Sequence, residues 1–182
     1  MMHALIISGL ISFFANLAIG FFVYSQNRKN RINILFGLFS LTVSGWSVGS
    51  FLENVILDQA QALAVLRFNY LFAVWLPPVY LHLYYTLTSH LKRRILVLRA
   101  AYACSVFFTA VLYSPFFIRG LAELQSEPYR YLISSPGPLY YLFALFFAAV
   151  VIEVLRTTIS EMRAETVNGR APLDFGKQPF HC

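Results

Sequence analysis

RFNYLFAVWLPPVYLHLYYTLTSH, residues 67–90, is the stretch that decides the fold class. It is almost wholly apolar and longer than the roughly 20 residues that cross a bilayer as an α-helix. Together with the apolar residues before it, it predicts a span over 62–88. That span would be about 39 Å long, against a hydrocarbon core of about 30 Å. The excess predicts a tilted, projecting or broken helix. Pro77-Pro78 supplies a reason for a break, because proline removes a backbone donor and clashes with the preceding turn.

The composition extends this prediction to all 182 residues. Hydrophobic residues make up 58% of the chain and charged residues 12%, whereas a soluble domain carries about 25% charged residues. The mean hydropathy is +0.63. We therefore predict an all-α, polytopic transmembrane helical bundle with about five spans, at 5–25, 32–52, 62–88, 95–118 and 139–155. Residues 1–160 would form the transmembrane domain. Residues 161–182 would form a cytoplasmic tail whose last dozen residues show no assignable pattern.

The charges in alternate loops predict the orientation. The net charge of +6 is dispersed along short loops, which argues against a nucleic-acid partner and fits the positive-inside bias of membrane proteins. Eleven basic residues fall on one side: Arg28, Lys29, Arg31, Lys92, Arg93, Arg94, Arg99, Arg156, Arg163, Arg170 and Lys177. Three fall on the other side: Arg67, Arg119 and Arg130. We expect the N-terminus outside and the C-terminus inside. Span three is then expected to be a single kinked crossing. If the prolines divided it into a re-entrant pair of helices, the basic loops would no longer all fall on one side of the membrane.

Polar and aromatic residues in spans two and three are the candidates for sensing or structure. Arg67 lies near the outer boundary, where it could snorkel to the headgroups or pair with Glu53 or Asp58. His82 lies deeper, and an ionisable group inside a membrane segment is a functional candidate by default. It could serve proton, ligand or haem-type chemistry. We prefer a neutral imidazole hydrogen-bonded to a hydroxyl or to a carbonyl that the prolines free. Trp46 we interpret first as an interface anchor. The full candidate set is Arg67, Trp46, Pro77, Pro78 and His82.

The sequence carries no motif of a catalytic or metal site. It has no P-loop, G-x-S-x-G, H-E-x-x-H, metal-spaced Cys/His cluster or glycine-rich nucleotide fingerprint. The cysteines, Cys104 and Cys182, lie far apart and imply no disulfide framework. Glu153 near the inner end of span five has Arg156 within reach along the helix. We prefer that ion pair to a buried acid in a proton path. We predict no enzymatic activity, metal or cofactor.

The order of these features resembles the N-terminal seven-transmembrane region found ahead of bacterial histidine kinase and diguanylate cyclase modules. The resemblance runs over about Ser25 to Arg170. Its landmarks are Asn30, Asn33 and Phe36 opening span two, then Trp46, Arg67, Tyr70, Pro77-Pro78 with Tyr80-Leu81, and Gly137-Pro138-Leu139-Tyr140 opening span five. The resemblance implies a non-catalytic sensory input domain in the bacterial cytoplasmic membrane, whose helices relay a signal to a cytoplasmic output domain. Spans six and seven and any output domain are missing, so we expect a truncated product or a separate partner chain.

Two other functions stay open beside this one. A small transporter or channel subunit would use the kinked span and His82, although no second half repeats the first as many transporter folds require. A membrane-embedded enzyme or haem carrier is the third interpretation. The composition requires the lipid bilayer as a partner. Because two missing spans would leave apolar helix faces uncovered, we also expect instability or a homodimer.

Overall fold

Five helices and one β-hairpin follow one another in a computed structural model of the protein. The structure describes residues 2–53, 55–56, 58–126 and 129–167, with side chains for residues 7–53, 55–56, 58–121 and 134–163. The helices are α1 (Met2–Gln26), α2 (Arg31–Glu53), α3 (Gln59–Leu87), α4 (Ile95–Val111) and α5 (Pro138–Val167), and the strands are β1 (Ile118–Ser126) and β2 (Tyr129–Pro136). The predicted polytopic helical bundle is confirmed.

Four helices, α1, α2, α3 and α5, are long and apolar enough to cross a membrane. Helix α4 has 17 residues, about 26 Å of helix, which is the short end of the range for a span. It ends at Val111, whereas the sequence predicted a span that ran to residue 118. Large apolar side chains such as Phe21, Leu96 and Leu145 are exposed on the outside of the bundle. A surface of this kind suits lipid better than water.

Small residues let α1, α2 and α3 pack closely. Gly20 of α1 faces Ser40 of α2, and a Cβ at position 20 would overlap the serine side chain. Gly45 and Gly49 lie one helical turn apart on α2 and turn toward α3. A Cβ at position 49 would come within 2.6 Å of Asn69 Oδ1. Side chains larger than hydrogen at these positions would push the helices apart.

Helix α3 continues through Pro77-Pro78 as one helix of 29 residues. The predicted break is therefore absent, and span three is the single crossing that the charge pattern requires. Pro78 offers no N–H to the carbonyl of Val74, four residues earlier. The Ser105 hydroxyl of α4 donates to that carbonyl at 2.8 Å, and both residues are fully buried. A neighbouring helix thus satisfies the carbonyl, since lipid cannot.

The long outer loop predicted over 119–138 is a β-hairpin, which the sequence analysis missed. Strands β1 and β2 pair antiparallel, and the chain just before them enters the core through Phe117, which is fully buried. Gly137 lies against the carbonyl of Phe116, where a Cβ would clash with backbone. Pro138 then begins α5, a position where its fixed φ suits the helix and its missing N–H costs nothing.

Helix α5 has 30 residues, about 45 Å, so about ten residues extend beyond a hydrocarbon core of about 30 Å. The helix therefore runs past residue 155, where span five was predicted to end, as far as Val167. The rest of the predicted tail lies outside the described residues.

Replacing Ser105 by alanine should leave the Val74 carbonyl without its donor. We expect Ser105→Ala to lower the free energy of unfolding by about 1 kcal/mol, a value typical of interhelical hydrogen bonds in membrane proteins. Unfolding in mixed micelles of increasing SDS fraction, followed by circular dichroism, measures the change.

Thr109→Val is the matched control for that variant. The Thr109 hydroxyl bonds the carbonyl of Ser105 within its own helix, so removing it exposes no carbonyl that proline has freed. An equal loss of stability in the two variants would contradict the role given to Ser105.

Candidate functional site

A cavity of about 380 Å³ opens between α2, α3 and α5, near the loop that joins α2 to α3. Its walls are aromatic and aliphatic, and a carboxylate, an amide and a hydroxyl form one polar corner. The lining side chains are Trp46, Ser50, Glu53, Leu66, Asn69, Tyr70, Ala73, Leu76, Tyr140, Phe143 and Phe147. A concave, mostly apolar space with a few convergent polar groups is the usual form of a small-molecule site. We call this space the outer cavity.

The polar corner joins the end of α2 to the first half of α3. Asn69 Nδ2 donates to Glu53 Oε1 at 2.6 Å and to Ser50 Oγ at 3.3 Å. Asn69 is only 6% exposed, and its Oδ1 has no hydrogen-bond partner among the described residues. Carboxylate and amide oxygens accept hydrogen bonds and cannot donate them. The Glu53 carboxylate, which lines the cavity, can therefore accept further hydrogen bonds, whereas Asn69 Oδ1 is enclosed against Gly49 of α2.

Tyr70 connects the cavity wall to the base of the hairpin. Its ring lies edge-on to Tyr140 at 5.7 Å and to Phe143 at 6.3 Å, both on α5, and to Phe117 at 5.6 Å. Edge-to-face contacts of this kind add about 0.5–1.5 kcal/mol each beyond the area they bury. Tyr70 therefore packs this wall of the outer cavity against α5 and the chain that enters the hairpin.

A second group of polar contacts lies at the opposite ends of α3 and α5. Tyr85 Oη donates to Glu153 Oε1 at 3.0 Å, and Arg94 Nη1 lies 3.4 Å from the same oxygen. The predicted pairing of Glu153 with Arg156 is therefore wrong. Arg156 is exposed, whereas Arg94 reaches the carboxylate from the α3–α4 loop. Glu153 thus ties α5 to α3 and to that loop.

Two further contacts continue along α5. Tyr84 Oη lies 2.7 Å from Thr158 Oγ1, and His90 Nε2 lies 2.8 Å from Glu161 Oε1. Ser89 has a φ of 60°, which turns the chain sharply at the end of α3 and brings His90 to α5. We call the whole set the basal cluster: Tyr84, Tyr85, His90, Arg94, Glu153, Thr158 and Glu161.

Of the predicted residues, Trp46 lines the outer cavity and Arg67 does not. The Arg67 guanidinium carbon lies 5.9 Å from the ring centroid of Tyr113, a cation–π arrangement. Within the described part of the chain it forms no ion pair with Glu53 or Asp58, so of the two alternatives only snorkelling to the headgroups stays a prediction. Arg67 Nε is buried and makes no hydrogen bond to the described residues.

His82 lies apart from both polar sites. Its Nδ1 is 3.1 Å from Tyr102 Oη on α4, which is a hydrogen bond to a hydroxyl of the predicted kind. The preference for this role over proton, ligand or haem-type chemistry stays a prediction. Pro77 and Pro78 are buried between the outer cavity and the basal cluster. In the described ranges, no three His, Cys, Asp or Glu side chains are placed to hold a metal ion.

Asn69 and Tyr140 were not predicted as cavity residues, and Glu53 was predicted only as a partner of Arg67. A signal for Asn69 was available, because an amide within an apolar span needs a polar partner. Nothing in the local sequence marks Tyr140 or Phe143, which reach the cavity only because α5 packs beside α3.

A model of the protein family described as the N-terminal 7TM region of histidine kinase matches residues 5–166. The predicted resemblance is thereby confirmed over most of the chain. Neither the curated proteins nor the solved structures contain a match.

The partner of Glu153 can be tested by removing each arginine in turn. We expect Arg94→Gln to lower the free energy of unfolding by about 1 kcal/mol, because it removes the cation from a mostly buried carboxylate. Arg156→Gln is the control and should change the free energy of unfolding by less than about 0.5 kcal/mol. SDS unfolding in mixed micelles measures both. A larger effect of Arg156→Gln would restore the predicted pairing within the helix.

Proposed function

We propose that the chain, which belongs to the family of N-terminal 7TM regions of histidine kinases, is the non-catalytic sensory input region of a bacterial signal-transduction protein. One observation carries the proposal. Helices α3 and α5 both line the outer cavity, and the same two helices both contribute to the basal cluster. A change in the cavity therefore acts on both helices that lead to the cluster.

The distances make this connection short. Ala73 in the cavity and Tyr85 in the cluster are twelve residues apart on α3, about 18 Å. Phe143 and Glu153 are ten residues apart on α5, about 15 Å. Between the two sites the helices pack through a core that includes Leu81. Close-packed helices move as rigid bodies rather than deform, so a shift of either helix at the cavity is carried to the cluster.

The charge pattern gives the proposed direction of the signal. Basic residues are concentrated beside the basal cluster, which supports a cytoplasmic position for the cluster and an outer position for the outer cavity. We propose that the protein lies in the bacterial cytoplasmic membrane and passes its signal to a cytoplasmic output domain or partner chain, with a homodimer as the signalling unit. In this arrangement residues 1–160 form the sensory domain and residues 161–182 the connection to the output.

The orientation can be tested with a membrane-impermeant maleimide on intact cells. In a Cys104→Ser, Cys182→Ser background, Val55→Cys lies in the α2–α3 loop and should react in whole cells. Lys92→Cys lies in the α3–α4 loop and should react only after lysis. Both native residues are exposed. Labelling of Lys92→Cys alone in intact cells would reverse the orientation.

The sensory function can be tested in a chimera that joins α5 after Val167 to the dimerisation and catalytic domains of a histidine kinase. The helical register of the junction is chosen so that the native chain gives an active kinase. We expect Ala73→Trp, which fills part of the outer cavity, to change the autophosphorylation rate in membranes at least threefold, on the order of 0.7 kcal/mol of coupling.

Ala103→Trp is the matched control, since Ala103 is exposed on α4 and does not line the outer cavity. It should leave the rate unchanged. Equal rates in the native and Ala73→Trp chimeras would contradict the sensory function. Solute flux in proteoliposomes of the native chain that disappears in His82→Ala would favour a transporter instead.

A further inference from the structure

We propose that the outer cavity binds a primary amine whose charged head meets Glu53 and whose apolar body lies among the aromatic side chains. The proposal rests on the sensory function and assigns its ligand a chemical class. It starts from the one charged side chain among the described residues that line the cavity, which is a carboxylate.

No basic side chain in the described part of the chain pairs with Glu53. Its carboxylate receives a hydrogen bond from the Asn69 amide, which is neutral, while the nearby Arg67 is directed to Tyr113. A carboxylate withdrawn from water is costly unless a cation or several hydrogen-bond donors meet it. The cavity is therefore complementary to a ligand that brings positive charge.

The hydrogen-bonding groups of the corner favour a primary ammonium group over a quaternary ammonium, an alcohol or a carboxylate. An ammonium has three N–H donors and no acceptor. The polar corner offers the two oxygens of the Glu53 carboxylate, which together accept up to about four hydrogen bonds, and Asn69 donates one hydrogen bond to Oε1. A quaternary ammonium has no N–H to donate, an alcohol donates one hydrogen bond without charge, and a carboxylate would be repelled. A primary ammonium suits this corner best.

The remaining walls set the size and character of the rest of the ligand. Trp46, Tyr70, Tyr140 and Phe143 surround the corner with aromatic rings, which attract a cation through their faces and pack against an apolar body. The volume of about 380 Å³ is at the small end of the range for ligand sites. It suits one aromatic ring on a short alkyl chain rather than a peptide or a lipid.

Phenethylamine is a suitable probe, because it has a primary amine, a two-carbon chain and one ring. The chain has two tryptophans, Trp46 and Trp75. In a Trp75→Phe variant, studied in nanodiscs, all tryptophan fluorescence comes from Trp46, which lines the cavity. We expect phenethylamine to change the emission of Trp46 saturably, with an affinity at least tenfold higher than that of phenethyl alcohol or 3-phenylpropanoate. Equal affinity for the alcohol, or no saturable change with the amine, would overturn the proposal.

Two variants with the same change of charge locate the head group. Glu53→Gln should weaken phenethylamine binding at least tenfold, because it removes the anion and keeps the shape of the side chain. Asp58→Asn is the control on the same side of the protein. Asp58 is exposed and caps α3, and asparagine caps helices equally well. Unchanged binding in Glu53→Gln, or equal weakening in both variants, would contradict a head group at Glu53.

The ligand series on Trp75→Phe alone keeps the proposal testable if Glu53→Gln does not fold. The test is also separate from that of the sensory function. Saturable amine binding in a chain whose chimera ignores Ala73→Trp would support this proposal and remove the sensory function. A chimera that responds to Ala73→Trp while the chain binds no amine would support the sensory function and overturn the amine proposal.

Discussion

The absence of water at bilayer depth is the constraint on which the structure depends, because each backbone carbonyl must find its donor within the protein. Pro78 removes the donor for Val74, and Ser105 of α4 replaces it. This hydrogen bond satisfies the carbonyl that Pro78 frees, and α3 continues past both prolines as a single helix. Because α3 is continuous, it can line the outer cavity at one end and build the basal cluster at the other. A true break at the prolines would have separated the two sites.

Hydropathy predicted the helices well, since a bilayer imposes the same requirement on every span. It could not predict the β-hairpin, because residues 119–138 combine charges, tyrosines and prolines that are typical of a loop. The length of that segment was nevertheless a signal, as connections longer than about 12–15 residues without structure of their own are uncommon. Hydropathy also failed to predict the early end of α4. The chain leaves that helix at Val111 and places Phe117 in the core just before the hairpin.

The site was less predictable than the fold, because it is made by contacts between distant parts of the chain. The resemblance identified residues such as Pro77 and Gly137 that shape the helices, and these determine architecture. The cavity depends instead on Asn69 and Tyr140, which lie far apart in sequence and meet only after α2, α3 and α5 have packed. Glu153 shows the same limit. Helical spacing suggested a partner three residues away, and the actual partner, Arg94, is on another part of the chain.

The contacts of α5 in the basal cluster also restrict how this helix can move. Glu153, Thr158 and Glu161 each hold a partner on the α3 end or the loop after it. At 100° per residue, these three positions spread over about 140° of the helix circumference. Rolling α5 about its own axis would pull at least one of them away from its partner. A displacement that preserves all three must tilt or slide α5 together with the end of α3, so that whatever follows Val167 is swung or lifted rather than twisted.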